Sequence, residues 1–256
     1  MRSSEEVLQA VKGLPGEIGL VIEKADGSGI RFQPDVPVNA ASVIKLFVMA
    51  EAFRQREQGE LDFAREVSIS REQCCPSCGA VTYLHDGVRL QVRDLVTLMI
   101  ILSDNTATNV LLDMLGLERV QEEIERLGLA GTRIRRKLFQ EELSRQGIQN
   151  QICAGDVACF LKRLMQGRVV NAEADREMLG ILANQRLNGK IPFYLHEHGI
   201  RCAHKTGEDD GITHDCGIIW NPEPVVFCFV SEHTNVPKAE RVLQDAAAWA
   251  AGVEID

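Results

Sequence analysis

The chain has 256 residues, of which 45% are hydrophobic and 25% charged, and its formal net charge is −9 at pH 7. This composition is typical of a globular protein with a substantial core, and it excludes collagen-like, low-complexity and wholly disordered chains. The acidic balance argues against nucleic-acid binding, because the neutralisation of phosphates requires a basic face. We also expect no membrane span, since no apolar run approaches the roughly 20 residues that a spanning helix needs.

The N-terminal part of the sequence predicts a helix, a β-hairpin and then a buried helix. Ser3 and Glu6 fit a capping box at the start of the first helix. The apolar run 18–22, followed by the glycine-rich turn 26–29, predicts two paired strands. The segment 42–53 is apolar nearly all round, which is typical of a helix that is buried on every side.

The rest of the sequence predicts helices first and strands afterwards. Helices that end at turn signals are predicted at 92–102, 106–115, 118–127 and 155–165. Between 131 and 152 lies a polar stretch that is too long for an ordinary connection. Three strands (201–206, 216–220 and 225–230) and a helix (238–251) close the chain.

Because strands are predicted near both ends of the chain, the simplest fold is one antiparallel sheet into which the helical segment is inserted. We expect residues 1–36 and 185–256 to form an α/β sheet subdomain, and residues 37–184 to form a helical subdomain. The boundary between a sheet and inserted helices is a preferred position for a small-molecule pocket.

Ser42 and Lys45 lie three residues apart at the start of the buried helix, so their side chains share one face. A serine becomes a nucleophile when a base takes its proton, and a lysine buried among apolar side chains has a lowered pKa. The N–H groups of a helix N-terminus favour developing negative charge. The pattern is weak alone: about one S-x-x-K match is expected by chance, and a helix cap with a snorkelling lysine is the ordinary alternative.

Two tripeptides strengthen this hypothesis. Ser103-Asp104-Asn105 lies between two predicted helices, where an N-cap is the ordinary interpretation. Lys205-Thr206-Gly207 ends a predicted strand, and its ammonium, its hydroxyl and its glycine suit the binding of a carboxylate. An edge-strand lysine before a turn is the ordinary alternative there. Chance supplies about 0.03 and about 0.06 such tripeptides in a chain of this length, so the three motifs together are far below chance.

The three motifs are the S-x-x-K, S-D-N and K-T-G set of penicillin-recognising serine enzymes. With the segments 39–53, 98–116 and 205–222, the chain resembles the class A β-lactamase family over nearly its whole length, from about Gly16 to Ala251. The resemblance implies an α+β fold: an antiparallel five-stranded sheet flanked by helices, with an inserted all-helical lobe and the site between them. It also implies a serine hydrolase that forms an acyl-enzyme with β-lactams or related amides. We expect a small-molecule substrate, a monomer, and neither a cofactor nor a metal.

The resemblance assigns a role to each motif residue. Ser42 is the implied nucleophile, Lys45 its base, and Ser103 the residue that passes a proton to the leaving nitrogen. The implied substrate-binding residues are Asn105 for the amide side chain, Lys205, Thr206 and Gly207 for the carboxylate, and Glu208, whose N–H forms an oxyanion hole with that of Ser42.

The polar stretch 131–152 departs from the family, which carries there a glutamate, in an E-x-x-L-N pattern, that activates the deacylating water. One register puts Leu138 at this place and another puts Gln140 there, so neither supplies a carboxylate. Glu141 and Glu142 are the nearby candidates to replace it. Because fast deacylation needs a base for water, we expect slow release of the acyl group.

A second departure lies beyond K-T-G, where the family carries an arginine that supports the substrate carboxylate. This arginine is missing, and the candidates to replace it are Thr213 and His214.

The eight cysteines are many for a cytosolic chain of this size but too few for a disulfide scaffold. Five are predicted to be small buried hydrophobes: Cys153, Cys159, Cys202, Cys216 and Cys228. Cys74, Cys75 and Cys78 form a cluster, and C-x-x-C spacing binds zinc or cycles as a disulfide. Since a second such pair is missing, we favour structural thiols over a metal or redox role. By the resemblance, the cluster lies on the rim of the active-site cleft.

Two alternative functions stay open, a D-alanyl-D-alanine peptidase or transpeptidase and a β-lactam-binding sensor that stays acylated. A missing deacylation base suits both. The N-terminus lacks the basic-then-apolar pattern of a signal peptide, so we expect a cytoplasmic protein, or a periplasmic or secreted one if a leader was trimmed.

Overall fold

The computed structural model describes residues 3–76 and 78–255. The α-helices are α1 Ser4–Lys12, α2 Lys45–Glu57, α3 Val92–Ile101, α4 Asn105–Leu115, α5 Leu117–Arg126, α6 Glu141–Arg145, α7 Ala154–Met165, α8 Ala172–Ala183, α9 Pro192–Leu195 and α10 Val236–Ala251. The strands are β1 Glu17–Lys24, β2 Gly29–Phe32, β3 Val38–Asn39, β4 Glu66–Ile69, β5 Val88–Gln91, β6 Gln151–Ile152, β7 Arg201–Asp209, β8 Ile212–Trp220 and β9 Pro224–Glu232.

Five strands form one antiparallel sheet in the order β2-β1-β9-β8-β7. The N-terminal hairpin pairs with the C-terminal strands through β1 and β9, where Leu20 lies opposite Phe229. The helical segment is therefore inserted between the two ends of the sheet, and the predicted fold class is confirmed. β7 lies at one edge of the sheet, so the K-T-G motif that it carries faces the inserted helices.

Two apolar cores cover the two faces of the sheet. Since neighbouring side chains of a strand point to opposite faces, Leu20 and Ile22 enter one core and Val21 the other. The first core joins the sheet to α1 and α10, and the second joins it to the inserted helices around α2. The division into subdomains 1–36 with 185–256 and 37–184 stays a prediction, and the strands of the large sheet all fall in the first of them.

Local structure departs from the predictions in three places. The predicted helix 42–53 begins as a 3₁₀ turn, Ala41–Ile44, and continues as α2. Sequence patterns missed the helices α6, α8 and α9 and two small sheets, β3 with β6 and β4 with β5. The capping box at Ser3 is present as predicted, with its side chain accepting from the Glu6 amide. Within the described ranges, 3–76 and 78–255, no helix is long and apolar enough to span a bilayer.

Candidate active site

Ser42 lies in the 3₁₀ turn that leads into α2, and Lys45 is the first residue of that helix. The i, i+3 spacing brings Lys45 Nζ to 3.0 Å from Ser42 Oγ, as the sequence predicts. The preceding residue, Ala41, has a φ of 41°, which is uncommon for a residue with a side chain. Such backbone strain persists only where the surrounding structure holds it, and it is frequent at functional sites.

The Lys45 ammonium is fully buried and surrounded by oxygen atoms. Besides Ser42, its Nζ lies 2.6 Å from the Ser103 carbonyl oxygen, 3.0 Å from Ser103 Oγ and 2.8 Å from Asn105 Oδ1. Burial lowers the pKa of Lys45 well below its ordinary value, and the charge of Lys205 lowers it further. This environment favours the neutral amine, which is the form that can accept a proton.

Ser103 links the two motif lysines. Its Oγ lies 3.0 Å from Lys45 Nζ and 3.1 Å from Lys205 Nζ. The φ of Ser103 is 55°, a left-handed conformation that directs both its carbonyl and its hydroxyl to Lys45. The structure therefore brings S-x-x-K, S-D-N and K-T-G together around this one hydroxyl.

Asp104 does not face the substrate cleft but holds the neighbouring loop. Its carboxylate accepts from the amides of Ala107, Ala80 and Val81, at 2.9, 2.7 and 2.8 Å respectively. The first of these bonds is the N-cap of α4, which the sequence offered as the ordinary interpretation. The other two tie the segment after the cysteine cluster to the start of α4.

Lys205 is fully buried, and burial lowers its pKa to about 7. Asp215 opposes this shift, and the positive charge of Lys190 adds to it. The next motif residue, Thr206, is also buried. Gly207 has a packing role that the sequence did not predict: a Cβ there would lie 2.8 Å from Cδ2 of His214. A glycine lets β7 pack closely against β8 at this point.

The structure does not bring Thr213 or His214 to the cleft. Thr213 Oγ1 donates to Glu240 Oε1 at 3.1 Å, and His214 Nε2 lies 2.8 Å from the carbonyl oxygen of Asn39. Both residues are completely buried on β8, which has a neighbouring strand on each side. Neither residue lines the cleft, and the expectation that one of them replaces the missing arginine stays a prediction.

A cleft of about 350 Å³ opens in front of Ser42. It is lined by Asn39, Ala41, Ser42, Cys78, Asn105, Arg136, Leu138, Phe139, Glu141, Ser144, Asn150, Glu208 and Asp209. Its walls come from the 3₁₀ turn, the start of α4, the end of β7 and the stretch 131–152. The cleft therefore lies between the sheet and the inserted helices, where the sequence predicts a pocket.

The structure distinguishes the two alignments of the stretch 131–152, which put either Leu138 or Gln140 at the place of the family's glutamate. Leu138 lines the cleft, and the Asn109 side chain holds its backbone with two hydrogen bonds of 2.9 Å. The side chain of Gln140 turns back instead to accept from the Lys137 amide at 2.8 Å. Of the two residues that the registers offer, Leu138 lines the cleft and Gln140 does not.

The two candidate carboxylates of this loop also differ. Glu141 lines the cleft, but its side chain is 79% exposed and lies 3.7 Å from Arg145. Glu142 accepts from Arg145 at 2.8 Å and from Gln146 at 3.0 Å, along the outer side of α6. Only Glu141 is therefore placed near the cleft.

The cysteine cluster lies along the same rim. Cys78 is exposed in the cleft, and its carbonyl oxygen accepts from the Asn105 amide at 3.3 Å. Cys75 is buried against Asn109, which donates to its sulfur at 3.2 Å. No group of three or more His, Cys, Asp or Glu that could hold a metal occurs in residues 3–76 and 78–255. Of the five scattered cysteines, three are buried, whereas Cys159 and Cys202 are partly exposed.

The profile of the β-lactamase enzyme family matches residues 2–251. The chain belongs to this family. It is a serine hydrolase of the β-lactamase type, and the resemblance seen in the sequence is confirmed.

Solved structures agree with this assignment. A β-lactamase from Sphaerobacter thermophilus is 29% identical, with 99% of this chain and 98% of that chain covered and a TM-score of 0.89. PBP-A is 23% identical over 97% of this chain and 94% of its own, with a TM-score of 0.87, and a leucine-to-glutamate mutant of it is known as an acyl-enzyme with penicillin G. An ancestral class A β-lactamase is 23% identical over 95% of this chain and 96% of that chain, with a TM-score of 0.85.

One charged residue of this β-lactamase-family site was missed in the sequence. Lys190 is buried behind the K-T-G strand, with its Nζ 2.9 Å from a carboxylate oxygen of Glu208. It lies 15 residues before Lys205 and belongs to none of the three motifs. The signal that could have found it is a single lysine next to apolar residues shortly before the K-T-G strand.

Proposed function

We propose that this protein is acylated on Ser42 by β-lactams or related amides and releases the acyl group slowly. The observation that carries the proposal is the position of Lys45 Nζ, 3.0 Å from Ser42 Oγ and 3.0 Å from Ser103 Oγ. One amine can therefore accept the proton of Ser42 and lie within hydrogen-bond distance of the Ser103 hydroxyl, which passes a proton to the leaving nitrogen.

In the proposed acylation, neutral Lys45 takes the Ser42 proton as Oγ attacks the amide carbonyl. The bond from the carbonyl carbon to oxygen forms and a tetrahedral oxyanion develops. The backbone N–H groups of Ser42 and Glu208 stabilise this oxyanion. As the carbon–nitrogen bond breaks, the nitrogen receives a proton from Ser103, which is replenished from Lys45.

In the proposed complex, Lys205 and Thr206 bind the substrate carboxylate and Asn105 binds its amide side chain. Lys205 suits this role because Ser103 Oγ and the Thr206 carbonyl oxygen hold its ammonium beside the S-D-N motif, at 3.1 and 2.8 Å. Asn105 suits its role because its side chain lines the cleft and Lys45 fixes its Oδ1.

Slow deacylation is supported by the wall of the cleft opposite this network. Hydrolysis of the ester needs a water that loses its proton as it attacks, and a positioned base contributes roughly 10²–10⁴-fold to such a step. Leu138 cannot accept a proton. Glu141 is the nearest candidate of the loop, but its exposed side chain is directed toward Arg145.

The experiment that tests the proposal is intact-mass spectrometry during incubation with penicillin G. We expect one covalent adduct that forms quickly and disappears slowly. Ser42→Ala removes the nucleophile, so this variant is expected to show no adduct while its circular dichroism spectrum stays that of the parent. An adduct on another residue of the variant would overturn the assignment of Ser42.

A second candidate function is a D-alanyl-D-alanine peptidase or transpeptidase. The observation that favours it is Leu138 in the cleft, because such an enzyme does not need a water-activating carboxylate when an amine takes the acyl group. Release of D-alanine from a peptide ending in D-alanyl-D-alanine, faster with an added amine acceptor than without it, would support this function over lactam hydrolysis.

A further inference from the structure

Lys190 lies next to the end of the K-T-G strand but takes part in none of the proposed steps. Its Nζ lies 3.3 Å from the Gly207 carbonyl oxygen and 3.4 Å from that of His214, and both distances allow it to donate. Two carboxylates approach it as well, Glu208 at 2.9 Å and Glu240 at 3.7 Å. These contacts fix the ammonium at the edge of the sheet.

The pair between Lys190 and Glu208 is strongly asymmetric. The lysine side chain is 4% exposed and is held by two carbonyl groups, whereas the glutamate side chain is 59% exposed. Ion pairs of an exposed carboxylate are weak, because water solvates the charge and the side chain loses conformational freedom in the pair. Another carboxylate can therefore displace that of Glu208, while Lys190 stays in place.

The position of this pair relates it to the substrate. Glu208 lines the cleft, and its side chain lies on the same face of β7 as that of Thr206, two residues earlier. Thr206 is the residue to which we assign the substrate carboxylate. A carboxylate bound at Thr206 would therefore lie near that of Glu208, which contacts the buried ammonium of Lys190.

We propose that Lys190 is a second cation that binds the substrate carboxylate. In the empty cleft, the side-chain carboxylate of Glu208 occupies the position of that substrate carboxylate. Glu208 is then a selectivity-determining residue that acts against anionic substrates, because each must displace it. This inference rests on the proposed function, in which Lys205 and Thr206 bind the same carboxylate.

Asp209 provides a matched control for the charge of Glu208. It is the next residue, lines the same cleft and carries the same charge, but its carboxylate accepts from the Asp210 amide at 2.9 Å. A general effect of negative charge on an anionic substrate should be similar for the two residues. An effect that acts through Lys190 should be confined to Glu208.

The experiment compares the second-order rate constants of acylation by penicillin G and by its methyl ester, measured by intact mass. With Glu208→Gln we expect a rise of roughly two- to fivefold for penicillin G, the range of a displaced exposed ion pair, and little change for the ester. With Asp209→Asn we expect both rates to stay within about twofold of the parent. Equal rises in the two variants, equal rises for acid and ester, or a fall in Glu208→Gln would each overturn the proposal.

Lys190→Met supplies the second arm of the test. It is expected to slow acylation by penicillin G more than acylation by the ester. Combined with Glu208→Gln, it is expected to remove the rise in the rate of acylation that Glu208→Gln gives alone. If Lys190→Met fails to fold, the ratio of the rate constants for penicillin G and for its methyl ester in Glu208→Gln decides alone. A parent protein that penicillin G does not acylate would overturn the proposed function itself, whereas an acylated parent with an unchanged ratio in Glu208→Gln would overturn only the role of Glu208 and Lys190.

Discussion

The two walls of the cleft differ in how completely their polar groups are arranged. On the wall formed by α2, α4 and β7, the side chains of Lys45, Ser103 and Lys205 are buried and joined by contacts of 3.0 to 3.1 Å. On the wall formed by residues 131–152, an apolar Leu138 and a largely exposed Glu141 face the same space. The first wall has the groups that acylation needs, and the second has no fixed base for water.

This difference indicates that the two halves of a hydrolytic cycle have separate structural requirements. The proposed base for the serine is built into the core, because Lys45 begins the helix that follows the turn carrying Ser42. A base for water must come from a surface stretch whose backbone is held mainly by side chains such as Asn109. Changes to the second wall should therefore alter release while leaving acylation nearly intact.

The largest expected effect comes from adding a base to the second wall. In Leu138→Glu, the two hydrogen bonds from Asn109 to the backbone of residue 138 should keep the new carboxylate directed to the cleft. We expect release of the penicillin acyl group to accelerate by roughly 10²–10⁴-fold, the contribution of a positioned general base, with acylation changed by far less. Time-resolved intact-mass spectrometry measures both rates in one experiment.

Gln140→Glu is the matched control for this prediction, because residue 140 belongs to the same loop but turns away from the cleft. It should leave release nearly unchanged. If Gln140→Glu accelerated release and Leu138→Glu did not, our assignment of the loop register would be wrong. If release by the parent already kept pace with acylation, Glu141→Gln would show whether Glu141 is the base.

The same contrast explains which parts of the site were predictable from the sequence. Ser42 and Lys45 are three residues apart, so their contact follows from local helical geometry. The position of Leu138 depends on Asn109, which is 29 residues away, and no local pattern encodes that contact. Lys190 and Glu208 are 18 residues apart and form a tertiary contact, which periodicity does not reveal.

The sheet itself followed from hydrophobic runs near both ends of the chain, because long apolar strands have a strong pattern. The elements that the sequence missed include the 12-residue helix α8 and several short ones. Strands β3 and β6 have two residues each, too few to show a period. Thr213 and His214 follow K-T-G closely in the sequence, but they are buried on β8, an inner strand of the sheet, and do not line the cleft.

The pH dependence of acylation tests the first wall. Burial lowers the pKa of Lys205 to about 7, so its ammonium is present below that pH and is lost as the pH rises through it. Because the substrate carboxylate binds to the charged form, the second-order rate constant for penicillin G should fall above about pH 7, by up to about tenfold per unit.

The methyl ester of penicillin G is the control, since it has no carboxylate for Lys205 to bind. Its rate constant should not decrease above pH 7, and should rise or stay level as Lys45 loses its proton. A limb of equal size for acid and ester would place the titration in the proton transfer from Ser42 and not in substrate binding. Rates measured between pH 5 and 9 at constant ionic strength distinguish the two results.

The smallest effect is expected from the cysteines of the rim. Cys78 lines the cleft and Cys75 contacts Asn109, yet neither thiol takes part in the proposed proton transfers. This segment is also held by groups other than the thiols, the Asp104 carboxylate and the Thr106 hydroxyl, which accept from backbone amides. Replacing Cys74, Cys75 and Cys78 together by serine should keep those contacts, because they do not use the sulfur atoms. Under reducing conditions we therefore expect acylation by penicillin G to stay within a few-fold of the parent. Elemental analysis of both proteins supplies the decisive control: a tightly bound zinc ion in the parent, lost in the triple variant together with acylation, would contradict the structural role that we assign to this cluster.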